Sequence, residues 1–474
     1  MAVNFSSIPA FRGFRAEADV FDCEVIGELP SGLRGTFYRV GPDWLYPPTY
    51  ANDIPFNGDG HAQMFRIADG HVDFRSRYVK TQRYKAHHEA RRGLFGTYRN
   101  RYTDDPSVRD LSGGTANTHI VYHHGKLLSL KEDSPPVVLD PHTLETLDDY
   151  YTFNGELTSK TFTAHPKFDA QTGEMLAFGY EARGEDTRDV AVYSFDANGR
   201  KTWEAWVRTP YVSMLHDFAI TATHIAFLAI PYVVDVERMK AGEVHWAWDS
   251  TKPTWFGVMR RGGDGSDIRW YKGPERCATH VMNAWSEGER IFVDMDMANK
   301  GQFPFFPYLH GEHFDPKLTA GRITRLSVDL NKHQDHYDME VLYPDVTGVL
   351  PRQDDRYHGI PYKVGFMPRF GWTAQGPETS YTRFDHDTRK TTTYIPGKGI
   401  GLAEPCFVPR RKDAPEGDGW VVGVANLPGE RNISELQVMD AEHLDEGPIA
   451  RVRLPFKAPG QVHGWWVPDW ELPV

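Results

Sequence analysis

Four histidines stand in settings that suit metal binding: His165 in TAHPKFD, His216 in SMLHDFAIT, His280 in ATHVMNAW and His463 in GQVHGWW. Each opens or precedes an apolar or aromatic run, where an unpaired imidazole is costly to bury. Imidazole is the commonest transition-metal ligand, and an all-imidazole set suits iron, copper or zinc without choosing among them. A second arrangement, the H-x-D spacing of His313 and Asp315, falls in a segment rich in proline and glycine and reads more simply as a loop. Other chemistry is missing from the sequence. It has no GxxxxGK[ST] phosphate loop, no GxSxG elbow and no HExxH helix.

The elements that must bring these histidines together are short strands. The 43 glycines, 33 prolines and 13% aromatics are spread along the whole chain, as turn formers between β-prone runs are. Segments such as GTFYRVG, HAQMFRI, EMLAFGYEA, HIAFLAIPYVVDV, RIFVDMDM and GWVVGVAN show strand patterning. They are bounded by turn pairs including Asp69-Gly70 and His124-Gly125. Only two short helices are predicted, near residues 84–92 and 236–241. With no repeat, linker or composition shift, the expectation is one all-β domain over residues 1–474, a propeller in preference to a sandwich. The histidines are separated by 51, 64 and 183 residues. Seven blades would take roughly 68 residues each, so the separations approximate one, one and three blades. Equivalent strand positions of a propeller converge on its axis, where four histidines could share one metal.

Composition narrows the partners. With 53 basic and 65 acidic side chains the net charge is −12, which argues against nucleic acid. Three distant cysteines, Cys23, Cys277 and Cys406, form no CxxC pair, so neither a disulfide scaffold nor a cysteine zinc cage is expected. The most apolar stretch, residues 211–236, is interrupted by His216, Asp217, His224 and Pro231, and no membrane span is expected. The first 21 residues lack the pattern of a secretory signal. A cytoplasmic location is the resulting expectation.

The four histidine contexts, taken with GTFYRVGPDWLYPP, FNGDGHAQMFRI, ANTHIVYHHGKLLSLKED, AEPCFVPR and GQVHGWWVPDW, resemble the carotenoid cleavage oxygenase family along nearly the whole chain. The resemblance implies a seven-bladed β-propeller capped by loops and short helices. It also implies one iron(II) per chain on the axis, held by His165, His216, His280 and His463. Family members orient three such ligands with glutamates; Glu132 in LKED and Glu404 in LAEP match two of them. The third position falls near Val349, where no carboxylate stands, leaving Glu340, Asp345 or Asp354 as substitutes for the partner of His280. Thr118 in ANTH matches a position beside the open coordination site.

Within the family the chain is most similar to the stilbene-cleaving, lignostilbene dioxygenase branch. Phe56, Tyr98 and Lys131 carry this similarity. The branch implies that Tyr98 and Lys131 grip a phenolic hydroxyl while Phe56 packs on its ring; Phe305 in PFFP would pack on the second ring. The expected reaction is cleavage of the central C=C bond of a 4-hydroxystilbene by dioxygen, giving two aromatic aldehydes. An apocarotenoid-cleaving oxygenase is the alternative within the same chemistry, although a mean hydropathy of −0.53 offers little for dipping into a membrane. A non-catalytic propeller that binds a partner protein is the alternative from another class. The branch also suggests a homodimer.

Overall fold

The computed structural model describes residues 13–51, 53–373, 376–429 and 432–473, so residues 1–12 of the segment read for a leader lie outside it. Seven antiparallel sheets form the blades of a propeller. Numbered from the ring closure, blade 1 joins His463–Pro468 to Gly35–Asp43, Asp59–Ala68, His71–Tyr78 and Ala18–Val20. Blade 2 begins with His119–His123, blade 3 with Lys167–Phe168 and blade 4 with Phe218–Ile220. Blade 5 begins with Cys277–Glu287, blade 6 with Arg352–Gln353 and blade 7 with Gly401–Leu402 and Cys406–Pro409.

Both termini lock the ring. The last strand, His463–Pro468, pairs with Gly35–Asp43 in blade 1, and the early strand Glu24–Gly27 pairs with Pro448–Arg453 in blade 7. Radial closure removes the free sheet edges that an open sheet of this size would expose. Central strands such as Met175–Tyr180 are buried along their whole length, packed on both faces by neighbouring blades. Hairpin chemistry is legible in the turns. Asp69-Gly70 and His124-Gly125 both have two consecutive positive φ values, as the tightest hairpin connections require.

Two segments differ from the sequence expectation. HIAFLAIPYVVDV is not one strand: it breaks at Pro231 into His224–Ala229 and Tyr232–Val233. Proline has no N–H for the ladder, and the second piece pairs instead with Ala247–Trp248 in a separate two-stranded ribbon. The first helix runs Gln82–Ala90, earlier than predicted, because Thr81 Oγ1 caps it by accepting from Tyr84 N at 3.1 Å. Arg91 then ends it in the left-handed region. The second helix, Val236–Lys240, starts from an Asp235 cap.

Candidate metal centre and substrate cleft

The four histidines meet on the propeller axis. His165 and His216 lie just before the first strands of blades 3 and 4, His280 lies within the first strand of blade 5, and His463 opens the closing strand of blade 1. Blades 5 and 1 are three apart around the ring, so the spacing of one, one and three blades holds in the fold. Local irregularity aims His280: the pairing register shifts between Ala278 and Val281, a bulge of the kind that turns a side chain. Gly41 helps place His463, since a Cβ there would stand 2.5 Å from Gly460 O.

The outer nitrogens of three of them face carboxylates. His216 Nδ1 donates to Glu132 Oε1 at 2.5 Å, and His463 Nδ1 donates to Glu404 Oε1 at 2.8 Å. His280 Nδ1 lies 2.9 Å from Thr279 Oγ1 and 3.4 Å from Asp296 Oδ2. Asp296 Oδ1 accepts from His280 N at 2.8 Å. Asp296, on the neighbouring strand Arg290–Ala298, therefore takes the place for which the sequence offers Glu340, Asp345 or Asp354. Glu340 is on an exposed edge strand facing Arg389, and Asp354 is paired with Arg356. Val349 lines the cleft and offers no polar atom.

With Nδ1 donating outward, Nε2 of each of these imidazoles is a lone pair aimed at the axis. His216 Nε2 lies 3.3 Å from His165 Nε2 and 3.2 Å from His280 Nε2, while His463 Nε2 is buried without a partner among the described residues. The four ligand atoms lie within 4.8 Å of one another. Converging lone pairs at such distances repel unless a cation sits between them, so this donor set fits a transition metal. Burial holds the His280 imidazole neutral, down at about 4, and pushes His165 well below its ordinary value. Burial also pushes the Glu132 carboxyl up, but His216, Arg99 and Lys131 outweigh it and hold it at about 2. Glu404, countered by His463 and Arg352, is likewise held at about 2.

One cleft of about 430 Å³ reaches the metal centre. His216, His280 and His463 line it together with Thr118, Phe56, Tyr98, Lys131 and Phe305. That volume suits a small aromatic ligand. Phe56 meets Phe305 edge-on at 5.4 Å, and Phe303 stands edge-on to His216 at 5.9 Å. Lys131 Nζ lies 3.5 Å from Tyr98 OH and 4.8 Å from the centroid of its ring, and buried Lys131 forms no ion pair among the described residues. The sequence pairs Tyr98-Arg99 and Lys131-Glu132 explain the arrangement. Tyr98 and Lys131 line the cleft, and Glu132 reaches from its wall to His216, while Arg99 turns behind it, bonded to Tyr180 at 2.8 Å and Glu181 at 3.0 Å. The H-x-D segment is not part of the site: His313 is exposed and Asp315 caps a turn by accepting from Lys317 N.

Four residues at or beside the site were not foreseen in the sequence. Asp296 had a signal, since it and Asp294 alternate in the buried strand RIFVDMDMA. A carboxylate facing a core demands a partner; Asp294 finds Arg325, and Asp296 finds the bulge at His280. Phe303 and Phe306 lie in the same Pro/Phe segment as Phe305. His119 is a fifth axial histidine, with its ring 5.0 Å from His463. Its Nδ1 donates to Ala164 O at 2.8 Å, and it stays outside the four-nitrogen group.

A seven-bladed propeller with four axial histidines, three of them braced by buried carboxylates, defines a metal-centred oxygenase fold. The family model described as retinal pigment epithelial membrane protein matches residues 11–468, and the chain belongs to this family, the carotenoid cleavage oxygenases. The family is iron-dependent. The chain is 40% identical to lignostilbene-alpha,beta-dioxygenase isozyme III of Sphingomonas paucimobilis, over 98% of this chain and 97% of that protein. It is also 40% identical to isoeugenol monooxygenase of Pseudomonas putida, over 95% of each. The crystal structure of Pseudomonas brassicacearum lignostilbene dioxygenase superposes with a TM-score of 0.93 at 40% identity, covering 98% of this chain and 100% of that one.

Proposed function

We propose that this protein is an iron(II) dioxygenase that cleaves the central double bond of 4-hydroxystilbenes, of lignostilbene or resveratrol type, into two aromatic aldehydes. The observation that carries the reading is Lys131: a buried ammonium without an ion-pair partner, 3.5 Å from Tyr98 OH, in the cleft that ends at the four histidines. A buried cation left unpaired is costly unless a ligand completes it. A phenolate oxygen supplies what is missing.

His165, His216, His280 and His463 would hold one iron(II) per chain, with Glu132, Glu404 and Asp296 fixing three of the imidazoles. Iron held there supplies the binding and activation of dioxygen. Thr118 lines the cleft beside it and limits what else approaches. Lys131 stabilises the phenolate by charge and Tyr98 donates a second hydrogen bond. Burial pushes the Tyr98 hydroxyl well up, so it stays a donor. Electron density from the phenolate then reaches the alkene, which is what attack on an otherwise unactivated C=C bond needs. Phe56 packs on the phenol ring, and Phe305 closes on the second ring and keeps water out.

Lignostilbene and isoeugenol share a 4-hydroxyaryl alkene, which the Lys131–Tyr98 end of the cleft would select in either. The room beyond, walled by Phe303, Phe305 and Phe306, favours a second aromatic ring. No helix of the described residues is long and apolar enough to cross a membrane, and the three cysteines are free and buried, in keeping with a cytoplasmic enzyme acting on a soluble phenol. The test is to incubate iron-loaded protein in air with hydroxystilbenes, a 4-methoxystilbene and an apocarotenoid, and to identify the aldehydes. Aldehydes from the hydroxystilbenes alone support the reading; products from the apocarotenoid alone overturn it.

A further inference from the structure

Behind the phenol end of the cleft lies a second cavity of about 340 Å³, and Lys131 and Tyr98 line both. Its other walls include Arg99, Asp104, Asp133 and Glu181. Space of this size with a charged lining holds water. The two side chains thus form a partition between an apolar substrate cleft and a wet, polar chamber.

The charged and titratable groups around Lys131 are Tyr98, Arg83, Arg99, Glu132 and Asp133. Most are committed elsewhere. Glu132 is bonded to His216 and Tyr180, and Arg99 to Tyr180 and Glu181. Asp133 is different. Its Oδ2 lies 3.7 Å from Arg99 Nε, but its Oδ1 is buried and has no hydrogen-bond partner among the described residues. A buried carboxylate oxygen beside such a chamber needs a donor, and chamber water supplies one. Burial lowers the Lys131 ammonium from the ordinary lysine value, opposed by Asp133 and Glu132 and reinforced by Arg99 and Arg83.

A neutral 4-hydroxystilbene brings a proton that must leave if the phenolate is to form. We propose that the chamber behind Lys131 is the exit for that proton, with Asp133 Oδ1 as the relay between Lys131 and solvent. The inference rests on the phenol-site reading above. Lys131 passes one proton through chamber water to Asp133 and becomes an amine. The phenol O–H bond then breaks onto the amine nitrogen, and its electron pair stays on the phenol oxygen. Lys131 ends as an ammonium paired with phenolate, and one proton per substrate has entered the chamber.

The experiment compares Asp133→Asn with the parent enzyme, both iron-loaded, on two substrates across pH. One is 4-hydroxystilbene; the other is 3,5-difluoro-4-hydroxystilbene, whose phenol ionises near neutral pH. The expected loss in kcat/KM at neutral pH is about tenfold on the first and within about twofold on the second, with Asp133→Glu recovering most of it. A merely structural role would lower both substrates equally; an equal loss, or no loss on either, overturns the relay. Anaerobic binding calorimetry of the parent in buffers of different ionisation enthalpy gives a check that needs no variant. About one proton released per neutral phenol is expected, and no release overturns the proposal. If Lys131→Met cleaves both substrates normally, the phenol-site reading itself fails, a result distinct from failure of the relay alone.

Discussion

Glu132 Oε1 accepts the Nδ1–H of His216 at 2.5 Å, while the preceding residue, Lys131, turns the other way and sets its ammonium 3.5 Å from Tyr98 OH. Two consecutive residues after the strand Lys126–Leu130 thus serve the metal centre and the substrate cleft in turn. Any shift of this short segment moves both.

The carboxylates behind the histidines set metal retention. Glu132→Gln, Glu404→Gln and Asp296→Asn should each weaken iron binding by roughly 10–100-fold with the fold intact. Val349→Ala should change little, because Val349 has no polar atom to lose. Iron content after dialysis against a chelator, with circular dichroism as the folding control, decides this. Full retention in all three acid variants contradicts the bracing role.

His216→Ala and His463→Ala should lose iron and turnover together, since three imidazoles hold a labile divalent metal poorly. Metal analysis of the purified variants is the check. Stoichiometric iron in either variant removes that histidine from the ligand set.

Lys131 should cost stability for the sake of binding. Burial lowers its folded-state value, so below that value the fold carries a charge it disfavours. Between that value and the ordinary 10.5 the unfolded chain binds more protons, so the native state gains stability as pH rises through this window. Lys131→Met should therefore raise Tm at neutral pH, on the order of 1–2 °C. The gain should fade as pH approaches 10.5, while iron stays normal and cleavage drops heavily. Thermal melts at pH 7 and pH 10 test the sign; a variant less stable than the parent at pH 7 refutes it.

Selectivity should follow the two ends of the cleft. A 4-methoxystilbene leaves Lys131 and Tyr98 facing an ether, and a site built for a hydroxyl can discriminate by roughly 10⁴-fold or more. Phe305→Ala should raise KM for the stilbene about tenfold by removing one aromatic contact, yet hardly affect a short propenyl phenol. Steady-state kinetics on these substrates suffice. Equal kcat/KM for the hydroxy and methoxy compounds denies the phenol grip.

How far the sequence carried this picture depends on where each residue gets its role. The histidines were legible because they stand at or near the starts of first strands, one, one and three blades apart, and propeller closure turns that regularity into convergence. Glu132 and Glu404 were legible through short motifs that travel with the ligands. Asp296 was not, because its contact with His280 arises from two adjacent strands and a bulge, and the register between strands is absent from local sequence. The break at Pro231 was visible in principle, for proline cannot continue a central strand. The second cavity could not be foreseen. It forms between the loop carrying Tyr98 and the residues after Lys126–Leu130, and only the folded chain places them together.

The most direct measurement is the fate of dioxygen. Iron-loaded protein is given a 4-hydroxystilbene under ¹⁸O₂, the aldehydes are trapped by immediate reduction, and both fragments are weighed by mass spectrometry. Two aromatic products are expected from one cut at the central double bond, each carrying one ¹⁸O atom. An intact stilbene, or a label in only one fragment after controls for exchange with water, would contradict the dioxygenase reading.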